Sequence, residues 1–290
     1  MSLRSAAPTP RVEQPATTST ARRTALGVAA AGIVVTLPLY LFIAHEQSHG
    51  RSPAALQMST MGMSDMRTFW AFPILQASGL AGLLFAWGSV FLGLQQSGRV
   101  ASWLRLDYRQ VDRLHRYLSL LVITLVGVHV ISTLFDAMGD DWRTVFLLNQ
   151  WKHLGWAAAD TGYDTGVIAM YVLAVTAPTF YVRRGIGAGR WRVLHRLVIV
   201  SYALSIWHAL ILGIDVAHYA WLRPLIWLAQ IPLLALLARR VLQPARAGEI
   251  ARGGAVTTGL RYAVVALSIA GIIAVLAVVL SGNSGFVTPV

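Results

Sequence analysis

Residues 113–130 read RLHRYLSLLVITLVGVHV, and residues 191–210 read WRVLHRLVIVSYALSIWHAL. Each is an apolar run with an Arg-flanked His near its start and a second His near its end. A run of about 17–25 apolar residues is long enough to cross a bilayer as a helix. In hydrocarbon a helix satisfies its own backbone hydrogen bonds, which is why such runs are read as helices. An ionisable side chain placed there is costly and marks a functional candidate.

The rest of the chain agrees with a membrane setting. Its 290 residues are 56% apolar and 12% charged, with a mean hydropathy of +0.59; a soluble domain carries about 25% charged residues. Seven apolar segments are predicted, at roughly 24–44, 70–94, 112–135, 164–182, 192–214, 219–238 and 261–281. Pro224 and Pro232 are expected to kink the sixth. No alternating strand pattern and no internal repeat is present. The expected fold is an all-α, polytopic transmembrane bundle of about seven spans. Residues 1–23, rich in Ala, Thr, Ser and Pro, read as a disordered cytoplasmic tail. Residues 24–69 hold the first span and an outer loop, 70–238 a central helical domain, 239–260 a basic cytoplasmic loop, and 261–290 a last span with a short outer tail.

Basic residues set the expected orientation. With the N-terminus in the cytoplasm, the inner segments 1–23, 95–116, 183–196 and 239–261 hold 19 Lys and Arg, and the outer ones hold 5. Acidic residues divide 4 inside and 8 outside. The expectation is N-terminus in and C-terminus out. The same asymmetry accounts for the net charge of +12 without a nucleic-acid partner. The absence of cysteine excludes disulfides, iron–sulfur clusters and thiolate ligation of haem. It leaves His and Met as the ligands for a soft or borderline metal.

The four intramembrane His fall at matched depths. One span separates the third from the fifth, so the two run parallel. His115 can then face His195 near the inner surface, and His129 can face His208 further out. The two levels lie roughly 20 Å apart at the helical rise. Two imidazoles at one level can ligate a haem iron axially, and two levels suit two haems. Fourteen residues return His129 to within roughly 40° of His115, but thirteen leave His208 roughly 140° from His195 on an ideal helix. The fifth span therefore needs rewinding, a kink, or different ring approaches. The plain alternative is four His making interhelical hydrogen bonds. Arg116 and Arg196 directly follow the inner His, with Arg113 and Arg192 close by. They suit carboxylate side chains such as haem propionates, and they also anchor the inner surface. Trp207 and Tyr202 read as packing more than as pocket lining. Asp215 is either a cation-attracting group at the outer face or an ordinary helix-end residue.

The paired pattern, LHR followed by a His 14 residues later in one helix and 13 in another, resembles the ferric reductase-like transmembrane domain. The similarity covers about residues 70–238. That family includes the membrane halves of ferric reductases and NADPH oxidases and the haem-binding subunit of bacterial methionine-sulfoxide reductase systems. The resemblance implies two haem b groups, with His115 and His195 on the inner iron and His129 and His208 on the outer. It implies a ferric reductase-like oxidoreductase in the bacterial plasma membrane, carrying electrons from a cytoplasmic electron donor to an extracytoplasmic acceptor such as ferric or cupric ion. The chain departs from the larger relatives: a basic loop and a seventh span stand where they append flavin and nicotinamide domains, and no GxGxxG fingerprint follows a strand. Flavin is therefore expected only through a partner; a free reduced flavin or a quinol could also be the donor. A second reading is a relay subunit serving an extracytoplasmic acceptor protein. A third is a non-redox transporter or structural protein.

Residues 45–66, HEQSHGRSPAALQMSTMGMSDM, place Met58, Met61, Met63 and Met66 beside His45 and His49. Thioethers favour Cu(I) and imidazole accepts Cu(II). A copper site is one reading of this loop; an apolar stretch on the membrane surface with Met as filler is the other. His153 and His218 read as solvated residues.

Overall fold

The computed structural model describes residues 18–52, 70–97, 104–135, 142–148, 158–242 and 255–282. Among them all regular structure is helical: α1 (Thr18–Ser48), α2 (Phe72–Ser97), α3 (Tyr108–Thr133), α4 (Trp142–Phe146), α5 (Ala158–Thr176), α6 (Thr179–Ile186), α7 (Ala188–Leu212), α8 (Ile214–His218), α9 (Leu222–Leu242) and α10 (Ala255–Leu280). The first helix begins at Thr18, earlier than the expected 24. Six helices are long and apolar enough to cross a membrane, and seven spans result if α5 and α6 count as one. With the outward-facing apolar side chains of α1, α7 and α10, this makes the chain an integral membrane protein.

The fourth span is not the straight helix predicted over 164–182. It breaks between Thr176 and Thr179 with a 50° bend. Pro178 supplies the reason: it has no N–H to continue the ladder, and its ring clashes with the carbonyl four residues back. Gly187, at φ 88°, then turns the chain from α6 into α7, a left-handed conformation that glycine adopts without steric cost. In the sixth span, Pro224 sits in the first turn of α9, where a missing N–H costs nothing, and the helix continues through Pro232.

Packing is pairwise. α2 runs along α3, α5 along α7, and α9 along α10, while α1 lies against α2 and α3. The two His-bearing helices, α3 and α7, do not pack along each other; each rests on its own partner. The start of α3 is fixed by a reciprocal cap. Asp107 Oδ1 accepts from the Gln110 N–H at 2.6 Å, and Gln110 Oε1 accepts from the Asp107 N–H at 2.8 Å. Tyr202, Ile206 and Leu210 of α7 meet Val216, Ile226 and Leu233 in a buried apolar cluster. Trp87 Nε1 donates to the Ala229 carbonyl at 2.7 Å and ties α2 to α9.

Candidate functional site

The four intramembrane His come together as two pairs, with the partners expected from their depths. The ring centroids of His115 and His195 are 6.1 Å apart at an interplanar angle of 85°. Those of His129 and His208 are 6.1 Å apart at 87°. An imidazole nitrogen binds a first-row metal at about 2 Å, so one ion between two facing rings sets their centroids roughly 6 Å apart. Both pairs meet that spacing.

Three of the rings are held in one way. His115 Nδ1 lies 2.9 Å from the Ser89 carbonyl, His129 Nδ1 2.9 Å from the Leu75 carbonyl, and His208 Nδ1 2.9 Å from the Gly162 carbonyl. A carbonyl only accepts, so each Nδ1 carries the proton and donates, and in the neutral ring Nε2 keeps its lone pair. That is the tautomer a metal ligand needs, and the anchoring bond fixes ring orientation as well.

Each ring reaches its carbonyl through a notch. Four residues after Ser89, Leu75 and Gly162 stand Gly93, Gly79 and Gly166. A Cβ on Gly93 would meet His115 Cε1 at 3.2 Å; one on Gly79 would meet His129 Nδ1 at 2.9 Å; one on Gly166 would meet His208 Nδ1 at 2.5 Å. Gly79 and Gly93 are fourteen residues apart on α2, the same interval as His115 and His129 on α3. Matched spacing on two antiparallel helices was a legible signal that the reading of the His alone missed.

His195 is held differently. Thirteen residues along from Gly166, the interval between the two α7 His, stands Thr179, where α5 has already broken. His195 stacks instead on Trp191 of its own helix, centroids 5.1 Å apart and planes 20° apart. Phe180 of α6 lies 6.3 Å from Trp191, and the Arg183 guanidinium sits 3.9 Å over Phe180. α7 itself is uninterrupted. Different ring approaches therefore accompany the awkward 13-residue interval.

Several other candidates are placed elsewhere. Arg116 pairs with Asp112 at 2.5 Å, and Arg196 is exposed. Tyr202 donates to Gln230 Oε1 at 3.1 Å inside the α7–α9 core, in keeping with packing. Met58, Met61, Met63 and Met66 lie outside the described residues, as does His153. The rings of His45 and His49 lie 4.3 Å apart, tilted by 46°, but His49 Nδ1 bonds the His45 carbonyl at 2.8 Å. Among the described residues there is no cluster of three or more His, Cys, Asp or Glu that could hold a free ion.

Asp215, on α8, is buried and accepts from Gln76 Nε2 at 2.9 Å. Gln76 follows Leu75, so two adjacent residues of α2 hold His129 and Asp215. Burial raises the Asp215 carboxyl to about 6, partly offset by His218 and by the Gln76 bond.

Residues 78–206 match the family model of the ferric reductase like transmembrane component. That stretch, from α2 into α7, is a ferric reductase-like transmembrane domain. It contains His115, His129 and His195, and ends just short of His208. The domain supports a membrane oxidoreductase or electron-transfer role. No curated protein and no solved structure matches the chain.

Two outcomes test this geometry. Gly166→Ala or Gly79→Ala forces a Cβ into a His ring and should lower stability by about 1–3 kcal/mol. Gly185→Ala, which meets no neighbour, should not; apparent unfolding temperatures in detergent compare the three. Asp215 keeps its proton when folded up to about pH 6 but loses it near 3.8 when unfolded. Stability should therefore fall as pH rises from about 4 to about 6, by up to about 3 kcal/mol, and then level off. Asp215→Asn should flatten that decline; an equally steep decline in the variant would assign it to other groups.

Proposed function

We propose that this chain is a transmembrane di-haem b oxidoreductase. It carries electrons from a cytoplasmic donor (a flavoprotein, reduced flavin or quinol) to an acceptor on the other side, with ferric or cupric ion the favoured class. The observation that carries this reading is the pair of imidazole pairs. Each has centroids 6.1 Å apart, and three of the four rings have a backbone carbonyl on Nδ1. His115 with His195, and His129 with His208, would each hold one haem, since two protein ligands per level would suffice where a free ion would need more.

Haem, when bound, supplies a one-electron couple. The protein's part is to hold it. The Gly notches bring His115, His129 and His208 against neighbouring helices, and the carbonyls keep each Nε2 available. With two imidazoles committed to each group, the residues would leave no ligand position for the acceptor, and transfer to it would be outer-sphere. The spacing of α3 from α7 supports a group lying between them. Two levels roughly 20 Å apart along the helices divide a bilayer core of about 30 Å into short steps.

The purified protein should show sharp reduced b-type bands on dithionite addition, with about two haems per chain. His129→Ala and His195→Ala should each remove one. A colourless protein, even after expression with added haem, would sink the proposal. The orientation is tested separately in this cysteine-free chain. A membrane-impermeant maleimide should label Ser281→Cys in intact cells and Gly185→Cys only after permeabilisation; the reverse pattern would invert the direction of electron flow.

A further inference from the structure

Trp191 combines two features that the packing alone does not use. Its ring lies nearly parallel to His195, the one intramembrane His for which no carbonyl notch is found. Its indole Nε1 is buried and has no hydrogen-bond partner among the described residues. An indole nitrogen is a donor only, so it needs an acceptor. A buried donor without one is a standing cost that calls for an explanation.

The surroundings narrow the acceptor. Trp191 is one turn before His195 on α7, so it lies beside the inner pair. Arg183 places a positive charge 5.9 Å from the Trp191 centroid, on the side where Phe180 also packs. Arg116, which the sequence offered as a carboxylate partner, is already paired with Asp112. A buried donor with a cation close to its ring favours an anionic acceptor, and a haem carries two carboxylate side chains.

We propose that Trp191 is the positioning residue of the inner haem. Its face sets the plane of the His195 imidazole in place of the missing notch, and its N–H donates to a haem carboxylate. This rests on the di-haem reading above. The break at Pro178 is then part of the site, because it swings α6 so that Phe180 and Arg183 back Trp191.

The test compares Trp191→Phe, which keeps an aromatic face without the N–H, and Trp191→Leu, which keeps neither, in the haem-loaded full chain. The readouts are haem per chain, the low-spin EPR signal of each oxidised haem, and each midpoint potential against pH. Loss of one signal in His195→Ala assigns the inner haem. Trp191→Leu should alter the inner EPR signal and weaken retention of that haem by about 10–100-fold, leaving the outer haem unchanged. Trp191→Phe should preserve the inner signal while shifting its midpoint and the pH dependence of that midpoint. An unaltered inner signal in Trp191→Leu overturns the positioning role. A Trp191→Phe protein matching wild type at every pH overturns the N–H contact. Should Trp191→Leu fail to fold, the Phe variant decides alone: a displaced inner signal there overturns the proposal, and a preserved signal with a shifted midpoint supports it. A wild-type protein without haem would instead overturn the di-haem reading itself.

Discussion

A backbone carbonyl in a membrane helix already accepts the N–H four residues further on, yet it keeps a second lone pair. The geometry of the His pairs depends on that spare lone pair. His115, His129 and His208 each donate Nδ1–H to such a carbonyl, on α2 or α5. In water the bond would add little. In hydrocarbon an unpaired imidazole N–H is expensive, so it fixes both tautomer and ring direction. Access requires that the Cβ one turn away be absent. The positions of Gly79, Gly93 and Gly166 thus follow from where the imidazoles must stand.

The same requirement links sites of different chemistry. Leu75 gives its carbonyl to His129, while its neighbour Gln76 gives its amide to Asp215. One step of α2 therefore spans a metal-ligand type of residue and a buried acid. At the His115–His195 level the logic changes. The bend that Pro178 imposes comes before α5 could offer a second notch, and an aromatic stack takes its place.

Much of this was legible from residue types and intervals. Apolar run length indicated an all-helical membrane bundle, and matched depth indicated which His meet. The 13-residue interval on α7 left one of those pairs to a rewound helix, a kink or different ring approaches, because spacing alone does not show how a side chain meets its partner. The structure keeps α7 uninterrupted and lets His195 and His208 be backed by different groups. Trp191 was not singled out, since a Trp beside Arg at a helix start reads as an interfacial anchor. Arg116 suited either a cofactor carboxylate or the inner membrane surface; a third partner, Asp112 four residues before it, is the one it pairs with here. The bend between α5 and α6 could have been read from Pro178, which a window average over 164–182 conceals.

The unequal backing of the four rings has a consequence for how such a sequence can drift. Where the main chain is the partner, replacing the surrounding side chains leaves the anchor untouched, provided glycine stays. Ser89 and Leu75 can change identity without altering the carbonyl each presents. His195 has no such insulation: its neighbours Trp191, Phe180 and Arg183 act entirely through their side chains. Substitution there reaches the His195 ring directly. The His129–His208 level is thus the buffered end of the molecule, and the His115–His195 level is the end where small changes in sequence can retune behaviour without rebuilding the bundle.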